Sequence, residues 1–255
     1  MEYSAGYFKE QMPDWKRKKD PILSRIFYRQ VSFKLAAILA NHNISANSVS
    51  YFSAILGIIA CFCFLLSNWT FHVIGAVLIN IWLILDCTDG NLARSVKKQP
   101  FGEFADGISS YILVGLMCSA MGITVFHEGG LFFHPGQYLF IYIGALASSA
   151  DTLMRLIYQK YKATERELAD SGIIKIEKDA RTDHSQVRNL KVRIESELGI
   201  GGLLPLFILL ASIFKALDLV VIYCFLYYVS SCLIASLIFI KKAILKSNNL
   251  NDFAE

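Results

Sequence analysis

The chain has 255 residues, 55% of them hydrophobic and only 18% charged, with a mean hydropathy of +0.45; a soluble domain carries about a quarter charged residues. That balance excludes a disordered chain and an ordinary soluble domain. The formal net charge of +4 is a matter of membrane topology, since the basic residues flank the apolar runs, and no nucleic-acid partner is expected.

Residues 1–20 carry Trp15 and the run Lys16-Arg17-Lys18-Lys19, suited to anionic headgroups or to a solvated tail. From Pro21 to Ala40, Ile22, Ile26, Val31, Leu35, Ile38 and Leu39 recur at helical spacing, with Arg25, Arg29 and Lys34 elsewhere on the wheel. This predicts an amphipathic interfacial helix. Residues 35–85 are 51 positions without one Asp, Glu, Lys or Arg, room for two crossings at about 20 apolar residues each. The polar and aromatic stretch Ser67-Asn68-Trp69-Thr70 divides them. Uncharged runs at 107–127, 129–150, 198–214 and 219–240 are each about one span long. The fold class expected is therefore an all-α integral membrane protein. Six transmembrane helices fall near 49–67, 71–93, 103–126, 137–159, 198–215 and 218–241. The domain order is a cytoplasmic tail with the amphipathic helix over 1–48, the membrane domain over 49–246 and a cytoplasmic tail over 247–255.

Charge sets the orientation. Of 25 Lys and Arg, 24 lie on one side of these spans and only Lys215 on the other, so a multi-pass protein with both termini cytoplasmic is expected. No cleavable signal is expected, because residues 1–34 lack a continuous apolar core. The six cysteines sit in or beside spans and are expected to be free thiols behaving as small apolar residues.

Acidic residues are expensive at a bilayer, so those abutting the spans ask for a reason. The second span ends Asp86-Cys87-Thr88-Asp89-Gly90-Asn91-Leu92-Ala93-Arg94, and the third begins Gly102-Glu103-Phe104-Ala105-Asp106-Gly107-Ile108-Ser109-Ser110. Asp86 and Asp89 share one helix face, as do Asp106 and Ser110. A connection of seven residues between Arg94 and Gly102 predicts antiparallel neighbours with both faces turned together and three carboxylates converging. Such like charges need a cation between them. Hard oxygen ligands favour two divalent cations, Mg²⁺ or Mn²⁺, as in a phosphoryl-transfer centre. Gly90 leaves room for a ligand, Arg94 can bind a phosphate and Ala93 keeps that face open.

The pattern Asp86-x-x-Asp89-Gly90-x-x-Ala93-Arg94, then seven residues, then Gly102-x-x-x-Asp106 resembles the signature of the CDP-alcohol phosphotransferases, or CDP-alcohol phosphatidyltransferases. Seven fixed positions at about one in fifteen each put a chance match on the order of 10⁻⁸ per starting point. Ile44-Ser45-Ala46-Asn47-Ser48-Val49-Ser50 is similar to the Ile-Thr-Pro-Asn-x-Val-Thr stretch that opens the family's first span, departing at Ser45 and Ala46. The resemblance implies transfer from a CDP-linked alcohol donor, such as CDP-diacylglycerol, to an acceptor alcohol, with release of CMP among membrane lipids at a cytoplasmic site. It implies that Asp86, Asp89 and Asp106 bind the metal pair, that Gly90, Ala93, Arg94 and Gly102 hold CDP, and that the protein is a homodimer.

The family's fourth aspartate, its proposed general base, should stand at position 110, which here is Ser110. Serine has an unsuitable pKa for that task. Three accounts compete: an inactivating replacement, an adapted site with another base, for which Glu103 is the nearest spare carboxylate, or a catalytically silent protein that keeps its metal and CDP sites. Asp151, Arg155, Arg188 and Arg193, on the cytoplasmic side of spans four and five, are candidates for acceptor binding, although basic residues there also follow from topology alone. An ion transporter is a further alternative, but transporter sites favour the bilayer midplane between repeated halves.

Overall fold

The computed structural model describes residues 2–174 and 196–251. Two short helices open the chain, α1 (Ala5–Glu10) and α2 (Asp14–Lys19). Ser4 caps α1 by accepting the Tyr7 N–H, while Asp14 begins α2 and basic residues end it, both matched to the helix dipole. A π-helical turn, Ser24–Tyr28, runs directly into α3 (Arg29–Asn41). Ser45 accepts the Ser48 N–H at the start of α4 (Ala46–Leu65). Asn68 accepts the Thr70 N–H at the start of α5 (Trp69–Ser95), so the polar break acts as a cap. α6 (Gly102–Glu128), α7 (Leu139–Asp170), α8 (Leu204–Ile213) and α9 (Leu217–Asn251) follow.

The all-α membrane class holds, with no strand among the described residues. Among the described residues five helices, α4, α5, α6, α7 and α9, are long and apolar enough to cross a bilayer. Where the fifth of six spans was expected stands α8, with 10 residues. At 1.5 Å per residue it covers about half of a ~30 Å hydrocarbon core. Gly199, Gly201 and Gly202 precede it, in a turn so tight that a Cβ on Gly202 would meet the Glu197 carbonyl oxygen at 2.2 Å.

α4 packs along both α5 and α6, α6 continues onto α7, and α7 onto α9, with α8 against α5 and α3 across α5. The expected face-to-face pairing of α5 with α6 is corrected here: α4 lies between them and they hardly touch. Small residues permit this order. A Cβ on Gly75 of α5 would fall 2.8 Å from the Ala60 carbonyl oxygen of α4, and one on Gly122 of α6 only 2.3 Å from the Phe140 carbonyl oxygen of α7. Such close approach is how helices associate where lipid removes the hydrophobic drive. Trp82, Phe64, Met117, Met121, Phe140 and Ile208 fill the centre, and the six cysteines are free and buried.

The N-terminal segment is helical with an outward apolar stripe, Ile22, Ile26, Val31 and Ile38, as its periodicity predicts. It also has a second face. Phe33, Ala36, Ala37 and Ala40 are buried against Phe8, Val49, Leu85 and Leu92, so α3 clasps the motif end of α5. Arg29, assigned from the wheel to the polar side, is instead buried at 6% exposure.

Candidate functional site

The last three turns of α5, the start of α6, the N-terminal end of α4 and the clasp of α3 meet at one end of the bundle. Asp89 is buried on α5, Asp86 half-buried one turn before it, and Asp106 exposed at the start of α6. Ser50 of α4 donates from Oγ to Asp89 Oδ2 at 2.5 Å. The three carboxylates are near enough for their charges to act on one another. Among the described residues none of them has an ion pair. Nor, among those residues, do three His, Cys, Asp or Glu side chains gather closely enough to hold a metal ion. The expected convergence is thus partial, because α4 separates α5 from α6. The donor chemistry, unpaired hard oxygens on rigid helices, fits a hard divalent ion; the spacing is not that of a closed site.

Gly90 has the use expected of it, with a detail the sequence does not carry. The Arg94 guanidinium folds back over it, so that a Cβ there would meet Nη1 at 3.0 Å and Nη2 at 3.2 Å. Arg94 Nη2 donates to Asn91 Oδ1 at 3.0 Å. Asn91 is itself buried. Its Nδ2 donates to Ser32 Oγ at 3.0 Å, and its Oδ1 also accepts from Arg29 Nη1 at 3.4 Å. Ala93 is half-buried beside them.

At the other edge, a Cβ on Gly102 would lie 3.6 Å from Asn47 Oδ1, so this glycine leaves an open approach. Asn47 Nδ2 donates to the Pro100 carbonyl at 2.8 Å. Its Oδ1 is buried and has no hydrogen-bond partner among the described residues, which is costly unless a ligand supplies a donor. Phe101, just before Gly102, takes the left-handed conformation at φ 58, a strain of about 1 kcal/mol or more for a non-glycine residue. Below, Ser53 and Ser109 hydroxyls meet at 2.6 Å and Trp82 Nε1 donates to Ser109 Oγ at 2.9 Å, joining α4, α5 and α6.

Ser110 lies one turn beyond Asp106, half-buried, and donates from Oγ to the Gly107 carbonyl at 3.1 Å. Its proton is committed to its own helix. Glu103 is exposed, and its charge acts on Asp106.

Asp151 and Arg155 pair with each other, Arg155 Nε to Asp151 Oδ2 at 2.5 Å, and the Arg155 guanidinium lies 5.3 Å from the Tyr111 ring centroid. They line a cleft of about 310 Å³ together with Lys16, Asp20, Gly201 and Tyr228. Tyr228 is 3% exposed and its hydroxyl has no hydrogen-bond partner among the described residues. Lys16 and Arg155 lie within electrostatic range of Asp106, so the cleft adjoins the carboxylates. Arg188 and Arg193 lie outside the described residues.

Arg29, Asn47, Asn91, Lys16 and Tyr228 were not singled out as site residues from the sequence. A polar side chain within an apolar helical face, as at Asn91, was the available signal; the others depend on contacts between distant segments.

No curated protein matches the chain. The family profile described as CDP-alcohol phosphatidyltransferase matches residues 43–178, more than half of the chain and the part that holds Asn47, the three aspartates, Arg94 and Gly102. By that match, the chain belongs to the CDP-alcohol phosphatidyltransferase family.

Proposed function

We propose that the protein moves a substituted phosphate from a CDP-linked alcohol, such as CDP-diacylglycerol, to an acceptor alcohol at the cytoplasmic membrane surface, releasing CMP. One observation carries the proposal: the Arg94 guanidinium is folded over Gly90 beside three carboxylates without counter-ions among the described residues. A diphosphate fits next to that cation, yet approaches the carboxylates only with cations between.

Gly90, Ala93, Arg94 and Gly102 hold the CDP moiety. Asn47 Oδ1 offers an acceptor to a donor such as the cytosine amino group, where uracil would present a carbonyl. Asp86, Asp89 and Asp106 would hold two divalent cations, Mg²⁺ or Mn²⁺, which when bound neutralise charge on the diphosphate and the leaving CMP. The acceptor oxygen bonds to the phosphorus attached to the donor alcohol, the bond from that phosphorus to CMP breaks, and the acceptor hydroxyl proton passes to a base. Ser110 is unsuited to take it. We assign that proton to Glu103, whose flexible side chain starts one turn before Asp106.

The cleft beside Asp106 receives the acceptor. Lys16 and Arg155 suit a phosphorylated or otherwise anionic polyol, and the Tyr228 hydroxyl suits one of its oxygens; Arg188 and Arg193 remain part of this proposal. So do the homodimer, the sixth crossing and the cytoplasmic orientation, the last supported by the 24-to-1 division of basic residues.

The test is CMP release from a panel of CDP-alcohols and acceptors at saturating Mg²⁺ or Mn²⁺, for the parent, Ser110→Asp and Glu103→Gln. With Glu103 as base, Glu103→Gln lowers the rate by roughly 10² to 10⁴, and Ser110→Asp gives no gain. A second reading, a silent metal- and CDP-binding protein, is favoured by the bond from Ser110 to Gly107; it requires a parent without turnover that Ser110→Asp activates. The proposal is refuted if all three proteins lack both turnover and metal-dependent CDP binding.

A further inference from the structure

We propose that Arg29 is a positioning residue for Arg94, so that the segment carrying Asp20 and Arg29 is part of the phosphotransfer centre and not only a surface anchor. This rests on the reading of Arg94 as a diphosphate ligand.

Arg29 opens α3, outside the candidate spans. Its Nε donates to Asp20 Oδ2 at 2.8 Å and its Nη2 to Asp20 Oδ1 at 3.3 Å. Its Nη1 reaches across to α5, to the Cys87 carbonyl at 3.1 Å and Asn91 Oδ1 at 3.4 Å. The Asn91 amide cannot turn without loss, since Ser32 Oγ accepts from its other end at 3.0 Å. Asn91 Oδ1 therefore faces two guanidiniums, Arg29 on one side and Arg94 on the other. At the far end Asp20 also pairs with Lys16 at 3.2 Å, and both line the acceptor cleft. A continuous polar path thus runs from the acceptor cleft to the nucleotide arginine.

A buried arginine is a poor way to stabilise a fold, because apolar packing of the same volume is often at least as good. Its charge does something here that packing cannot. Arg94 is exposed, and a long side chain left to itself samples many rotamers. The Arg29 charge behind Asn91 polarises the amide oxygen that holds Arg94 Nη2, and repels the rest of that guanidinium away from α3, toward Gly90. Asp20 holds Nε and Nη2 of Arg29 and offsets part of its charge, while Nη1 is engaged with Cys87 and Asn91, so Arg29 orients the ligand-binding charge while its own fork stays engaged within the protein. The π-helical turn directly before it, in which the Arg29 N–H donates to the Ser24 carbonyl five residues back, shifts the helix face and turns Arg29 inward while Ile26 and Phe27 stay exposed. Such turns recur at functional sites.

The test is a thermodynamic cycle on the full chain in detergent micelles, reading CDP affinity by calorimetry with Mg²⁺ present. The proteins are the parent, Arg29→Lys, Arg94→Lys and the double variant. Arg29→Lys keeps the charge but loses the fork, and should weaken CDP about tenfold in the parent background. In the Arg94→Lys background, where the bond to Asn91 is already lost, its effect should fall below about twofold. The same factor in both backgrounds would mean that Arg29 only supports the fold, and overturns the inference, as does parent-like affinity for Arg29→Lys. If Arg29→Lys fails to fold, Asn91→Ala, which keeps the Asp20–Arg29 pair, takes its place in the cycle with the same expected coupling. A parent that binds no CDP removes the nucleotide reading, and this inference with it, before any variant is measured.

Discussion

Alanine at position 90 should separate stability from nucleotide binding. The added Cβ would stand 3.0 Å from Arg94 Nη1 and 3.2 Å from Nη2, inside ordinary van der Waals contact, and the group that must yield is the end of a flexible side chain. The guanidinium swings away and loses its 3.0 Å bond to Asn91 Oδ1. Replacing a helical glycine by alanine gains up to about 1 kcal/mol, and a typical hydrogen bond lost costs about 1 kcal/mol. The two nearly cancel, so the melting temperature should move by no more than roughly 3 °C for a chain of this size. Binding has no such offset. A displaced Arg94 forfeits a hydrogen bond to a charged partner, worth about 1.5 to 3 kcal/mol, or roughly a 10- to 150-fold weaker affinity for CDP. Calorimetry with CDP and Mg²⁺, paired with thermal unfolding in the same micelles, reads both quantities. Parent-like CDP affinity in Gly90→Ala would refute the placement of Arg94 over Gly90 as the binding pose.

Burial alone would raise the Asp20 carboxyl, but the Arg29 hydrogen bonds and charge, with Lys16, hold it below the ordinary carboxylate range. Its contribution to stability is therefore complete above the unfolded value of about 3.9 and is lost as pH falls through the lower folded value. Tryptophan-fluorescence melts should show stability falling below about pH 4 in the parent. Asp20→Asn should lose this part of the slope, and be less stable at neutral pH by about 3 kcal/mol, as for a broken buried pair. Gly122→Leu should force α6 and α7 apart at the 2.3 Å approach to Phe140 and destabilise by at least about 2 kcal/mol; unchanged melting would contradict the packing. Cysteines introduced at Lys97 and His134, in a chain freed of its native cysteines, should react from opposite sides of closed cells. Reagent reaching position 97 from outside would invert the topology.

The sequence by itself determined the membrane class, the approximate ends of most spans, the free cysteines and the motif that places the chain in its family. Each follows from local quantities. Hydropathy over about 20 residues reports whether a helix can live in hydrocarbon, and side chains three or four apart share a helix face whatever surrounds them. Five long helices stand where five of the expected spans do. At the remaining expected span, 198–215, stands the shorter α8, because hydropathy counts 199–203 as apolar while the glycines fold that stretch into a bend and turns.

Only the tertiary structure decided how the motif is supported. A short connection between α5 and α6 suggested that they face each other, but glycines and alanines let α4 come between them, which keeps the three aspartates from closing into one cluster. Arg29 looked like a residue for the polar side of an interfacial helix. Its pairing with Asp20, and its reach to Cys87 and Asn91 some 58 and 62 positions away, depend on where α3 lands on α5. The buried Asn47 oxygen beside Gly102 and the cleft between α2, α7 and α9 likewise belong to no single segment. Periodicity within one helix fixes which residues share a face, while the choice of facing partner depends on the shapes of distant segments, which only the packed fold brings together.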